Sequence, residues 1–418
     1  MKLLSEKNLS WLIGVGVFFP LFFRLSKGIY RDSQPIIDSQ GVLLTLPLPI
    51  SILTCFFALV FWMSKLKNAR LSLTFVAGAF LASFLSLWLG GDGITAPQRK
   101  MLMAAQVILP LIGLVVGQLV GDREKIIARA FLIVLSILVP LQLLATWFQG
   151  TLILTHYLYA FSIYSHFQYV TLIFVCAFAY SVISLWEEFK IWLCILAVMM
   201  VAYVTASLSF LTIFAYLSFL VLFVFSRLWA HRGNIKLVLG VLAVVGAMGV
   251  GGVAYYDGMA GQRPSVEGQE GLFNGKFKTL AEGKIPSNVQ ERLNDWKFFG
   301  SAILESKKTL LVGHPQPMPR EIKSSPHNWY VDVAYTFGLV GLLPTLLLIA
   351  FTTYLCWTQR KTLPVQIWWL AGIVFYLVVI DSNFKVTLRQ PYPGIFSYFM
   401  WGLLLSALLP AAVRKPSA

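Results

Sequence analysis

The chain has 418 residues, 58% of them hydrophobic and 12% charged, with a formal net charge of +15. Soluble globular proteins carry about 25% charged residues, so an ordinary water-soluble enzyme is excluded. Apolar runs near twenty residues long, the length that crosses a bilayer core, recur from end to end. The expectation is an all-α polytopic membrane protein.

In chain order, about twelve such runs lie near 10–25, 43–64, 71–90, 101–120, 127–147, 168–186, 190–205, 207–226, 236–255, 331–355, 364–380 and 393–412. They divide the chain into nine spans over 1–256, one large loop over 257–330, and three spans over 331–418. No small-residue cleavage site follows the first run, which reads as a retained anchor. Lys and Arg collect in "SKLKNAR", "DREKIIAR", "RLWAHRGNIK", "TQRKT" and the tail "RKPSA". Cytoplasmic loops carry that excess, so both termini are expected inside and the 257–330 loop outside. That loop is basic too, but long loops cross largely regardless of charge.

Cys55, Cys176, Cys194 and Cys356 lie in or at the ends of apolar runs, which supports neither a disulfide framework nor a Cys-based metal site. About half of the net charge belongs to the inside loops. The informative excess is outside, at residues such as Arg263, Arg292, Lys297, Arg320 and Lys323, joined by Lys385 and Arg389. Cations there suit an anionic substrate such as a phosphate head group, or attraction to anionic membrane lipids; no nucleic acid is expected.

Within the outer loop, 257–286 is rich in Gly, Lys and Gln and is expected to be mobile. A helix follows near 288–306, with Ser287 and Gln290 spaced as a capping box. Val289, Leu293, Trp296, Phe299 and Ile303 recur every three or four residues as one apolar stripe, the pattern of an amphipathic helix on a membrane surface or capping a bundle. Arg292 lies one turn before Trp296, and "GHPQPMP" ends regular structure.

The next apolar helix opens with "KSSPHNWYVDVAYTFGLVG". Ser325 reads as its N-cap and Pro326 as its first residue, which puts His327 in the first turn. The positive end of the helix dipole disfavours protonation of that ring and keeps it neutral, as a general base must be. The free N–H groups of the same turn suit an anion. An interfacial histidine with no chemistry is the alternative. Asn328 is a substrate-binding candidate whose plain reading is a cap, and Gly338 and Gly341 read as close-approach positions between helices.

His327, Asn328, nine residues, Gly338, two residues and Gly341 together resemble the H-[NSQ]-x9-G-x-x-[GTY] signature of the bacterial O-antigen ligases. The superfamily also holds many O-antigen and exopolysaccharide polymerases. "ERLNDWKFFGSAI" is similar to its R-x3-W stretch upstream of the same histidine, and the layout of about twelve spans with one large outer loop agrees. The resemblance implies a GT-C-type glycosyltransferase of the bacterial inner membrane with a periplasmic site. The donor would be an undecaprenyl-diphosphate-linked glycan and the acceptor lipid A–core or a second lipid-linked glycan, with no metal or cofactor. It assigns His327 as the base that takes the acceptor proton and Arg292 as the cation on the diphosphate, with inversion at the anomeric carbon. The outer acids also show no D-x-D or comparable pair for a metal.

One departure stands out. Ligases usually carry an Arg, often in S-R-G, where "VTASLSFLT" here offers Ser207 and Ser209 and no cation. Lys385 and Arg389 are the replacements expected on the same face, Arg389 first, with a plain interfacial anchor as its alternative; Arg320 is a further substrate-binding candidate. In 155–170, His156, His166 and several tyrosines read as an aromatic belt, with His166 kept as an acceptor-side candidate. His314 and His231 read as structural. The short 148–167 loop favours a ligase over a repeat-unit polymerase, since such polymerases commonly have two sizeable outer loops. A lipid-linked glycan transporter is less favoured, because the span centres are nearly free of ionisable residues.

Overall fold

The computed structural model describes residues 5–24, 28–29, 48–90, 98–121, 123–148, 167–207, 209–230, 279, 282–285, 287–315, 318, 322 and 325–413. The expected span at 236–255, the segment 257–278, His156, His166, His231, Arg320 and Lys323 lie outside them. The helices are α1 (Glu6–Phe18), α2 (Ile50–Phe61), α3 (Arg70–Gly90), α4 (Gln98–Ile108), α5 (Ile112–Val120), α6 (Glu124–Phe148), α7 (Phe167–Ala206) and α8 (Phe210–Ala230). In the 257–330 loop come α9 (Ser287–Ile303) and α10 (Lys307–Val312), and after it α11 (Trp329–Thr358), α12 (Val365–Phe375), α13 (Ser382–Phe384) and α14 (Pro391–Val413). Among the described residues, seven helical stretches are long and apolar enough to cross a membrane.

Two expected spans are shorter than their apolar runs. α1 stops at Phe18 because Phe19 precedes Pro20, and a residue before proline is pushed out of the helical region. α2 starts only after Pro49. Between them the chain forms strands β1 (Phe22–Arg24), β2 (Gly28–Ile29) and β3 (Leu48–Pro49), an antiparallel sheet in the order β2-β1-β3. The protein is therefore an all-α type of membrane bundle that carries one small sheet between α1 and α2.

α7 is two helices in one. The rings of Phe174 and Tyr203 stack at 5.4 Å, whereas a straight helix would hold residues so far apart by about 43 Å. The chain doubles back at Phe189, whose φ of −132° and ψ of 33° break the helix. The expected boundary between 168–186 and 190–205 falls there.

The charges mark two ends of the bundle. At one end Glu6 pairs with Lys65 and Arg123, Glu188 with Lys125 and Arg129, and Glu187 with Arg227. α11 and α12 meet at that end through Arg360 and Lys361, and Gln359 donates to the carbonyl of Leu408 in α14 there. Arg292, His327, Lys385 and Arg389 lie at the opposite end.

α14 is the axis of the bundle, with 83% of its most apolar window buried. It packs backbone to backbone against α5: a Cβ on Gly117 would lie 2.1 Å from the Phe399 carbonyl oxygen, and one on Gly402 2.2 Å from that of Leu114. Without a hydrophobic force between helices in lipid, such small-residue contacts supply the packing. Around them Phe18, Phe131, Phe174 and Phe396 form an aromatic knot.

Candidate functional site

α9 presents Arg292, Asp295, Trp296 and Phe299 on one face, spaced three and four apart. Asp295 and Phe299 are buried and Arg292 and Trp296 half-buried, whereas Val289, from the expected stripe, is exposed. The inward face is thus rotated toward Arg292 and Asp295. The Gln290 amide reaches forward to Asn294, and the Ser287 side chain of the expected capping box lies outside the described residues. The Trp296 indole N–H donates to the Pro326 carbonyl at 2.9 Å, and its ring meets Phe384 at 6.3 Å. Trp296 therefore clips α9 onto the peptide just before His327, and Arg292 follows one turn away.

The start of α11 corrects the expected cap. Asn328, not Ser325, is the N-cap: its Oδ1 accepts from the N–H groups of Tyr330 and Val331 at 2.9 and 3.1 Å. The helix begins at Trp329, so Pro326 and His327 precede it. Asn is among the best N-caps, as good as Ser, and its choice moves the start by three residues. It also occupies two N–H groups that were expected to hold an anion. His327 has a φ of 49°, the one positive φ among described residues other than glycine. A non-glycine residue held there costs about 1–3 kcal/mol and clusters at functional sites.

The His327 ring is half-buried and makes no hydrogen bond among the described residues. Burial first, and then the charge of Arg292, hold its basicity below the usual imidazole value, with Asp295 and Glu291 pulling the other way. Burial and Arg292 thus act in the direction expected of the helix dipole, toward the neutral ring. Arg292 itself forms no ion pair or hydrogen bond among the described residues. Burial lowers its basicity and Tyr169, Asp381 and Glu291 raise it, yet an arginine stays charged throughout the ordinary pH range. Two groups with unspent chemistry, an imidazole and a guanidinium, thus stand together.

Below them lies a ring of spent charge. The Arg389 guanidinium donates to Asp332 at 2.5 Å, and Lys385 faces Asp381 at 3.2 Å outside hydrogen-bond geometry. Thr387 donates to the same Asp381 carboxylate, and the Lys385 ammonium lies 5.2 Å from the Tyr169 ring centre. Arg389 and Lys385 are therefore on the expected face, but each is held by a carboxylate. Arg292, by contrast, is in no ion pair among the described residues, although Glu291 and Asp381 act on it at longer range. Asp381 closes a turn of π-helix, Tyr376–Asp381, a departure from regular geometry that recurs at functional sites.

Asn328 has a second role. Its Nδ2 donates to Asn383 Oδ1 at 3.1 Å, and Asn383 donates in turn to the Val379 carbonyl at 2.7 Å. The His327 cap is thus tied to the end of the π turn. Asp332, Asp381 and Asn383 were missed in the sequence. Their signal was a carboxylate or carboxamide within an apolar run, which is costly in a membrane and marks function. Ser207 and Ser209, where the resemblance expected an Arg, are buried hydroxyls in a local network with Thr212. His314 stacks on Tyr335 at 4.3 Å and bonds the Ala302 carbonyl at 2.9 Å, which fits its structural reading.

No family model matches the chain, and no curated protein matches it at a significant level.

Proposed function

We propose that this protein is a membrane glycosyltransferase of the O-antigen ligase and polymerase superfamily, moving a glycan from a lipid-linked diphosphate to a sugar hydroxyl. The observation that carries the reading is the pairing of His327 with Arg292, both half-buried, neither engaged by a described residue, and close enough to be electrostatically coupled. In the reaction a ring nitrogen of His327 takes the acceptor hydroxyl proton as the oxygen attacks the anomeric carbon. The bond from that carbon to the diphosphate oxygen breaks, its electron pair leaves with the lipid diphosphate, and the anomeric centre inverts. Arg292 meets the charge that grows on the leaving oxygen, a contribution of about 3–4 kcal/mol for one well-placed donor. Arg389 and Lys385, each paired with a carboxylate, form the floor of the site behind it, and Asn328 holds the His327 peptide in register.

The donor in this reading is undecaprenyl-diphosphate-linked, the acceptor is lipid A–core, and the site is periplasmic in a bacterial inner membrane. The second reading, a repeat-unit polymerase, uses the same chemistry with a lipid-linked acceptor. The hydroxyls of Ser207 and Ser209, standing where ligases carry a cation, favour it.

The test is transfer by purified protein, wild type beside His327→Ala, from lipid-linked oligosaccharide to lipid A–core with chelator present. Loss of general base catalysis lowers the rate by about 10²–10⁴-fold. Product on lipid A–core that disappears in the variant supports the ligase reading. Lengthened glycan on the lipid carrier supports the polymerase. Equal activity of His327→Ala on either acceptor removes the catalytic role.

A further inference from the structure

A groove of about 310 Å³ runs along the side of the bundle, walled by α11, α12, the π turn and α14. Its outer end is lined by Val378 and Val379 and its other end by Cys356 and Trp368. The rise from Trp368 to Val379 is about 16 Å at 1.5 Å per residue, half of a hydrocarbon core about 30 Å thick. A space of that volume over that length is a narrow slot, about one leaflet deep.

The lining has little to offer a polar ligand. The Thr352 hydroxyl donates to the Leu348 carbonyl at 2.8 Å and accepts from the Trp401 indole at 2.9 Å, and the Thr353 hydroxyl donates to the Ile349 carbonyl at 2.9 Å. Polar groups already satisfied by the protein leave no partners for water, and cavities of that kind are dry. The slot also opens sideways: Thr353 is exposed, as are Trp368 and Phe375 at 41% and 55%. In a membrane that side faces lipid.

The shallow end of the slot carries charge. Arg360 and Lys361 lie on the turn between α11 and α12, exposed, and among the described residues neither is in an ion pair. The Arg360 guanidinium lies 4.4 Å from the Trp357 ring centre and donates to the Trp357 carbonyl at 3.1 Å, which fixes it beside the entrance.

We infer that this slot binds one acyl chain of an anionic phospholipid drawn from the leaflet next to Arg360 and Lys361, with the head group on those two cations. The site is at the opposite end from His327 and does not depend on the glycosyltransferase reading. Its deep end touches the π turn whose Val379 carbonyl accepts from Asn383, so an occupied slot braces the turn that carries the Asn328–Asn383 link.

Native mass spectrometry of the detergent-purified protein with added phosphatidylglycerol or phosphatidylcholine tests the site. Two cations at a membrane surface favour the anionic lipid by about tenfold or more. Gly372 lines the slot, and a Cβ built on it meets nothing within 4 Å, so Gly372→Phe fills the space without displacing backbone. The expected result is retention of phosphatidylglycerol by the wild type, loss of it in Gly372→Phe, and loss of the anionic preference in Arg360→Gln/Lys361→Gln. Independently of that variant's folding, alkylation of Cys356 by an apolar maleimide should be slowed by phosphatidylglycerol in the wild type. Equal binding of the two lipids overturns the proposal, as does undiminished binding by folded Gly372→Phe. Displacement of phosphatidylglycerol by an equimolar polyprenyl phosphate also overturns it, assigning the slot to a different lipid.

Discussion

At the scale of single residues, the site separates charges already matched from charges kept unmatched. Asp332 and Arg389 have side chains only 10% and 15% exposed. Removing one partner of such a buried pair strands the other, at a cost of about 3–5 kcal/mol. Asp332→Asn is therefore expected to lower the thermal midpoint of the purified protein by several degrees, and Arg292→Gln to leave it nearly unchanged. A large loss of stability in Arg292→Gln would mean that its guanidinium is structural after all. The pH dependence follows from the lowered basicity of His327, which leaves more of the ring neutral at a given pH than in an ordinary imidazole. Transfer by the wild type should hold as pH falls past the ordinary imidazole value and decline only beneath it. Arg292 is a cause of that depression, so the acid limb of the residual activity of Arg292→Gln should move to higher pH. A limb that stays in place would separate the two residues.

At the scale of elements, the decisive feature is the break in α11. Gly338 has a φ of 65° and a ψ of −169°, and a Cβ there would lie 2.3 Å from the carbonyl oxygen of Leu311 in α10. The short helix before the break carries Asn328 and Asp332, and the twenty residues after it are long enough alone to cross a hydrocarbon core of about 30 Å. Gly313 completes the contact, with a φ of 77° and its own Cβ position 2.4 Å from the Thr336 carbonyl oxygen. Gly338→Ala must therefore adopt a strained backbone and push α10 away. Gly300, where a Cβ meets nothing within 4 Å, lies inside α9, and its replacement by Ala stabilises by about 0.5–1 kcal/mol. Thermal unfolding and limited proteolysis around Lys307–Val312 should show Gly338→Ala destabilised and opened, and Gly300→Ala at least as stable as wild type. The spacing from His327 to Gly338 was legible in the sequence, but the reason for the glycine was not. Its neighbour, Leu311, lies across the Pro-rich turn, and no local pattern pairs them. The same limit put the helix start at Ser325 rather than at the Asn328 cap, since Ser325-Pro326 satisfies every local rule for a helix start. Only the pull of Trp296 on Pro326 and of Asn383 on Asn328 moves the start along the chain.

At the scale of the whole molecule, membrane character and most span positions could be read directly, because a run of apolar residues states its own length. Where proline or a fold-back intervened, as at Pro20, Pro49 and Phe189, the runs gave the right segments and the wrong lengths. Sidedness is the remaining global property, and it rests on two charged ends that α11 connects. Ser301 on α9 is exposed at the His327 end, and Lys361 is exposed at the other. In a cysteine-free background, Ser301→Cys and Lys361→Cys sample the two ends without touching the site. Positive charge retains loops on the cytoplasmic side, so a membrane-impermeant maleimide applied to intact spheroplasts should label Ser301→Cys at once and Lys361→Cys only after permeabilisation. The reverse pattern would turn the protein over and place His327 inside, where a periplasmic acceptor never reaches it. Labelling of both positions from one side would mean that α11 does not cross, and the site would then have to be rebuilt around a helix lying on the membrane surface.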